Sequence, residues 1–200
     1  MADPLTRTRQ ARRDDLIAAT IRVINRDGLQ AASLERIAAE AGTSKGTALY
    51  HFTSKEQLYS SVVDALFDSG RAYMTERVLA ATATPRHQVE AYVESNLRFI
   101  LDNVEHVVAT QRIVQQQTGT VQIDDAIAPL RSLLEAGQQN GSFGDFDADF
   151  MAHSIRAVID AAAYYLPEHP GLDGDHFIAE GVGLVLRAID ATDRPEARTR

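Results

Sequence analysis

The residues best suited to chemistry lie between positions 43 and 55. Thr43-Ser44-Lys45-Gly46-Thr47 gathers hydroxyls, one ammonium group and a position without a side chain, and Tyr50, His51 and Lys55 follow. These groups suit hydrogen bonding and charge recognition, and they contain no arrangement for making or breaking bonds. A short helix beginning at Thr43 or Ser44 can enter a major groove end-on, turning Thr43, Ser44, Lys45 and Thr47 towards bases and phosphates. The free amides at such a helix start favour a phosphate. Gly46 permits close approach, and its cost to a helix of about 1 kcal/mol argues weakly for a functional choice. Tyr50, His51 and Lys55, near the helix end and the next cap, suit phosphate contacts. Each residue alone has a plainer reading: Gly42 stops a helix, Tyr50 and His51 pack, and Lys45 is solvated.

Such groups need a framework, and apolar residues recur at helical spacing along almost the whole chain. A first helix is expected from about Arg12 to Asn25, with Leu16, Ile17, Thr20, Ile21, Val23 and Ile24 towards one side. Gly28 can end it. Ser33 can cap a second helix whose inward face is Leu34, Ile37, Ala38 and Ala41, and Gly42 breaks it. Helices this short are unstable alone in water, so they must pack on each other and on the first. Ser54-Lys55-Glu56-Gln57 is a capping-box signature that opens a connecting helix to about Ala80. No Pro/Gly/Ser-rich tether follows, so the connection is expected to be rigid. Upstream, Arg7, Arg9, Arg12 and Arg13 read as a basic arm.

The ordered combination resembles the DNA-binding domain of the TetR family of one-component bacterial regulators. It is carried by Leu34 with Ile37-Ala38, Ala41 to Thr47, Tyr50-His51-Phe52, and Ser54-Lys55-Glu56-Gln57-Leu58, within residues 12–59. The resemblance implies that Thr43 to Thr47 form the recognition segment and that Lys55 sits at a phosphate-facing helix start. One position departs. With Phe52 fixing the register, Leu49 stands where the family usually places a phosphate-contacting Tyr. Either Tyr50 takes that contact over or the contact is absent.

Further helices are expected around 86–102, 104–117, 126–140, 148–166 and 174–191. Gly141 to Asp145 and Leu166 to Gly171 interrupt them, and Pro129 implies a start later than Asp125 or a kink. The expected fold is all-α: a basic arm and three-helix helix-turn-helix head at 1–53, a connecting helix at 54–80, and a ligand-binding and dimerising bundle at 81–200. The last two helices are apolar around much of their circumference. Ile155, Val158, Ile159, Ala162, Ile178, Gly181, Val182, Val185 and Ile189 are the candidate dimer surface, the alternative being an entirely intramolecular core. The resemblance also implies dimerisation through these helices. Candidate ligand-lining residues are Phe67, Tyr73, Met74, Phe99, Ile100, Gln111, Gln115, Phe143, Phe150, His153 and Tyr164.

Charge is segregated. Residues 1–59 hold nine basic and seven acidic residues, net +2, against eleven and twenty-one in 60–200, net −10. A basic head on an acidic body suits DNA contact at one end. The chain has no cysteine, which excludes disulfides and thiolate chemistry within it. No run approaches a membrane span and the start lacks signal-peptide features, so the expected location is the cytoplasm. His106 and His153 lack the carboxylate spacing of a metal site, no catalytic motif stands out, and no metal or cofactor is expected. The sequence therefore points to a non-enzymatic, homodimeric regulator of double-stranded operator DNA, a repressor released by a small organic effector. A helical dimer that binds proteins, and an activator of the same fold, are the alternatives.

Overall fold

The computed structural model describes residues 4–81, 84–116 and 124–190. Their helices, in chain order, are α1 (Pro4–Asp27), a 3-10 turn (Leu29–Ala31), α2 (Leu34–Glu40), α3 (Lys45–His51), α4 (Lys55–Ala80), α5 (Pro85–Asp102), α6 (Val104–Gln116), α7 (Asp124–Gln139), α8 (Ala148–Glu168) and α9 (Gly174–Ile189). The all-α expectation holds for the described residues. None of their helices is long and apolar enough to cross a membrane.

Contacts divide the chain into two compact units, Met1–Ser69 with Asn103–Val121, and Gly70–Asp102 with Gln122–Arg200. In the first, Leu16, Ala19, Val23 and Ile24 of α1 are buried with Ile37, Ala38, Ala48, Phe52, Leu58, Val62 and Ile113. Thr20 joins this core because its hydroxyl donates to the Leu16 carbonyl at 2.7 Å, leaving no unmet polar group. The Tyr59 hydroxyl donates to the Ala32 carbonyl at 3.0 Å, and burial pushes the phenol up to about 12. Helix α6 is tied to this core by polar bonds: Arg112 donates to the Ile24 carbonyl at 2.8 Å and Asn25 to the Glu105 carbonyl at 2.7 Å. His106 Nε2 lies 2.7 Å from the Val62 carbonyl, which assigns the proton to Nε2.

The connection between α2 and α3 is built by capping. Thr43 N–H donates to the Ala38 carbonyl at 2.8 Å and Gly42 N–H to the Ala39 carbonyl at 3.1 Å. These are the two bonds of a Schellman motif, which needs a left-handed residue, and Gly42 supplies φ 64°. Ser33 caps α2 through Arg36 N–H, Ser44 caps α3 through Thr47 N–H, and Ser54 Oγ accepts from Gln57 N–H at 3.1 Å. Gln57 reaches back to Thr53 N–H at 2.6 Å, one residue earlier than the usual reciprocal bond.

In the second unit α5 packs on α7, α8 and α9, burying Val93, Leu97, Leu130, Leu134, Ile155 and Ile159. Close crossing depends on missing side chains. A Cβ at Gly181 would lie 2.7 Å from Leu97 of α5, and one at Gly137 would lie 2.0 Å from Phe143.

Four boundaries differ from expectation. The basic arm is helical, because α1 starts at Pro4 and carries Arg7 to Arg13 within it. Proline tolerates the first turn of a helix, where its missing donor costs nothing. Helix α3 begins only at Lys45, with Ser44 as its cap. Helix α7 begins at Asp124 with Pro129 inside it, and α8 runs through Pro167 to Glu168. At Pro167 the helix ends one residue later, so the clash and lost donor fall in a turn that is already closing. Residues 191–200, expected to fray, lie outside the described residues.

Replacing Gly42 by Ala forces a Cβ into the left-handed region and is expected to destabilise the protein by about 1 kcal/mol. Urea unfolding monitored by circular dichroism measures it, and an unchanged midpoint contradicts the assigned role of this turn.

Candidate nucleic-acid interface

One residue of α3 and its C-cap decide which way the helix faces. Ala48 within it and Phe52 at its end are fully buried, so the positions between them turn outward. Ser44, Lys45, Gly46, Leu49 and Tyr50 are exposed, while Thr43, Thr47 and His51 are partly buried. Tyr50 is 68% exposed, an unusual state for a residue adjoining a core.

Ser44 and Thr47 are partly committed to the fold. Ser44 Oγ accepts from Thr47 N–H at 3.1 Å and lies 3.0 Å from Thr47 Oγ1. Lys45 pairs with Glu35 of α2, and this contact holds the Glu35 carboxyl below the usual carboxylate range. Both side chains are half exposed, so the pair is weak enough for a competing anion to take the ammonium group. Lys55 opens α4 with its Nζ 5.4 Å from the Tyr59 ring centroid.

The far end of α3 carries a concentration of positive charge that comes from α1. Arg13 donates to the His51 carbonyl at 2.6 Å, and its guanidinium stands 4.2 Å from the Phe52 ring centroid. The Arg9 guanidinium stands 5.3 Å from the Tyr50 centroid, and Tyr50 meets His51 edge-on with centroids 5.1 Å apart. Burial first, then Arg9, Arg13 and Arg12, depress the His51 imidazole below its ordinary value. Arg9, Arg13, Tyr50, His51 and Phe52, which the sequence spreads over positions 9–52, thus meet at one helix end. Arg9, Arg12 and Arg13 were legible as basic residues but not as site residues, because the arm reading detached them from α3.

The body candidates are dispersed. Ile155, Ile159, Ala162, Ile178, Val185 and Ile189 are each 3% exposed or less within one chain, where they pack its own core. Val158, Gly181 and Val182 remain partly accessible, although Gly181 faces Leu97 of its own chain. Among the ligand candidates, the Tyr73 and Phe99 rings meet at 5.6 Å, Met74 is partly buried, and Ile100 is buried. Phe143 is spent on Gly137, while Phe67, Gln115, Phe150, His153 and Tyr164 are exposed and Gln111 belongs to the first unit. A cleft of about 300 Å³ lies against Leu97, Val158, Phe177, Gly181 and Leu184, with Glu180 and Arg187 beside them. No metal-binding group of His, Asp or Glu occurs among the described residues.

Residues 16–62 match the family described as bacterial regulatory proteins, tetR family. A transcriptional regulator, BetI, from Rhizobium meliloti is 37% identical over 44% of this chain and 42% of its own length. The match spans about half the length of this relative and of the BetI from Paraburkholderia phymatum. The transcriptional activator FasR from Mycolicibacterium smegmatis is 28% identical over 84% of this chain and 78% of its own. A crystal structure of a tetR-family regulatory protein from Rhodococcus RHA1 has the same fold, with a TM-score of 0.75 and 22% identity over 91% of this chain and 98% of that one.

Burial also depresses the His106 imidazole, so both His51 and His106 favour the neutral form in the folded state. The unfolded chain binds more protons below the ordinary histidine value of about 6.5, and stability present above that pH is lost as pH falls through it. The urea midpoint is expected to drop between pH 7 and pH 5.5, above the carboxylate range, and to drop less in a His51→Gln/His106→Gln double variant. An equal drop in both proteins refutes the assignment.

Proposed function

We propose that this chain, which belongs to the tetR family of bacterial regulatory proteins, is a homodimeric repressor that binds double-stranded operator DNA and leaves it when a small organic effector binds. The observation that carries this reading is the meeting of Arg9, Arg12 and Arg13 with the outward end of α3. An exposed short helix flanked by cations of either end, Lys45 before it and the arginines after it, suits a groove walled by phosphates.

Within that reading, Thr43, Lys45, Gly46 and Thr47 face base edges and phosphates, and Ser44 contributes chiefly by setting the start of α3. Tyr50, His51 and Lys55 serve the phosphate backbone, with the three arginines of α1 added to them. A single head covers few base pairs, so two copies related by a two-fold axis are needed to address successive major grooves. The outward stripe of α8 and α9 suits this pairing: Ala157, Ala161, Tyr164 and Leu184 are exposed where a solvent-facing helix would carry charge. The effector belongs to the body, and α4, unbroken from Lys55 to Ala80, is the lever that would turn the heads out of register.

The opposite sign of regulation has one observation in its favour. FasR, whose match extends over most of this chain, is an activator, whereas the relative NicS from Pseudomonas putida is a repressor. Transcription from a promoter bearing the selected operator, with and without the protein, separates the two.

Selection of duplexes from a random pool tests the reading as a whole. On the selected site, Lys55→Ala is expected to weaken binding for all sequences alike and to reduce the slope of log K against log salt by about 1 for each lost phosphate contact. Lys45→Ala is expected to weaken binding and to alter base preference. Full affinity in both variants overturns these roles. Leu184→Arg is expected to yield single subunits in sedimentation and to lose operator binding, and an intact dimer removes the proposed α8/α9 pairing.

A further inference from the structure

We infer that Leu49 reads the C5 methyl group of a thymine in the major groove, a specificity role that rests on the DNA-binding reading above. Leu49 is 40% exposed on α3 and is absent from the apolar side chains that pack the head core. On a helix it shares a face with Lys45 and Gly46, four and three positions earlier. A branched apolar side chain is therefore displayed between a cation and a bare stretch of backbone.

Gly46 gives that display its purpose. A Cβ there would meet only Ser44 Oγ, at 3.7 Å, an ordinary contact, whereas one at Gly181 or Gly137 would collide with Leu97 or Phe143. The chain's own packing does not require glycine at 46, and glycine weakens a helix. The missing side chain opens the approach to the backbone one turn before Leu49, from outside the protein. A duplex seated there would bring base edges within reach of Leu49.

The chemistry of the groove then selects the contact. Base edges in the major groove present donors and acceptors, and the thymine methyl is the one apolar feature among them. A phosphate offers Leu49 nothing. Tyr50 beside it is better equipped for a phosphate, with a hydroxyl and the Arg9 guanidinium 5.3 Å from its ring. The two neighbours divide the work, Tyr50 on the backbone and Leu49 on a base.

The test uses the full-length protein and its selected duplex, with each thymine replaced in turn by deoxyuridine, which removes only the methyl group. Wild-type protein is expected to lose about fourfold in affinity at one thymine per half-site, the effect of withdrawing one buried methyl. Leu49→Ala is expected to bind thymine and uracil duplexes equally, and Leu49→Met to retain a preference for thymine. Thermal melting confirms that both variants fold. Sequence-selective binding without any methyl effect, or a methyl effect that survives Leu49→Ala, overturns the inference and leaves DNA binding standing. Absence of sequence-selective binding by the wild type overturns both.

Discussion

Helix α3 cannot stand alone. Seven residues fall well below the length at which an isolated helix persists in water, so its conformation is set by what it is anchored to. The anchors are few: Ala48 and Phe52 in the head core, the Ser44 cap at one end, and Arg13 on the His51 carbonyl at the other. Phe52 matters most, since a fully buried aromatic ring supplies apolar area that no other residue of this segment can match. Arg13 over its face adds a cation–π contact while answering a carbonyl at the helix end. The same arginine therefore holds the helix and contributes to the charge around it.

Anchoring from the inside is what leaves the outside free. Lys45, Gly46, Leu49 and Tyr50 are exposed and take no part in the head core. The acidic surplus beyond residue 59 sharpens the contrast. Glu35 provides the local counterweight: it neutralises Lys45 in the free protein through a contact exposed enough to be exchanged for a phosphate.

Much of the head could be read from its residues because its punctuation is local. Gly42, Ser33, Ser44 and Ser54 act on atoms at most five positions away, and each stands where the caps require it. The start of α1 was not legible, since Arg7 to Arg13 offer no apolar periodicity and their helix is apparent only in three dimensions. The body was legible as helices but not as surfaces. Apolar spacing says which face of α8 or α9 is buried and not whether the neighbour is the same chain.

The placement of α6 has the longest reach. Its spacing predicted an amphipathic helix between α5 and α7, with nothing to associate it with residues eighty positions earlier. Three polar bonds decide the matter, Arg112 to Ile24, Asn25 to Glu105, and His106 to Val62, each of which matches a side-chain group to a main-chain group that no periodicity encodes. As a result the chain enters the head unit twice, once from the start through α4 and again at Asn103 after α5. A helix end on α1, at Ile24 and Asn25, is where α6 is fastened. Because α1 also carries Arg9, Arg12 and Arg13, a displacement of α6 would act on the very helix that charges the end of α3.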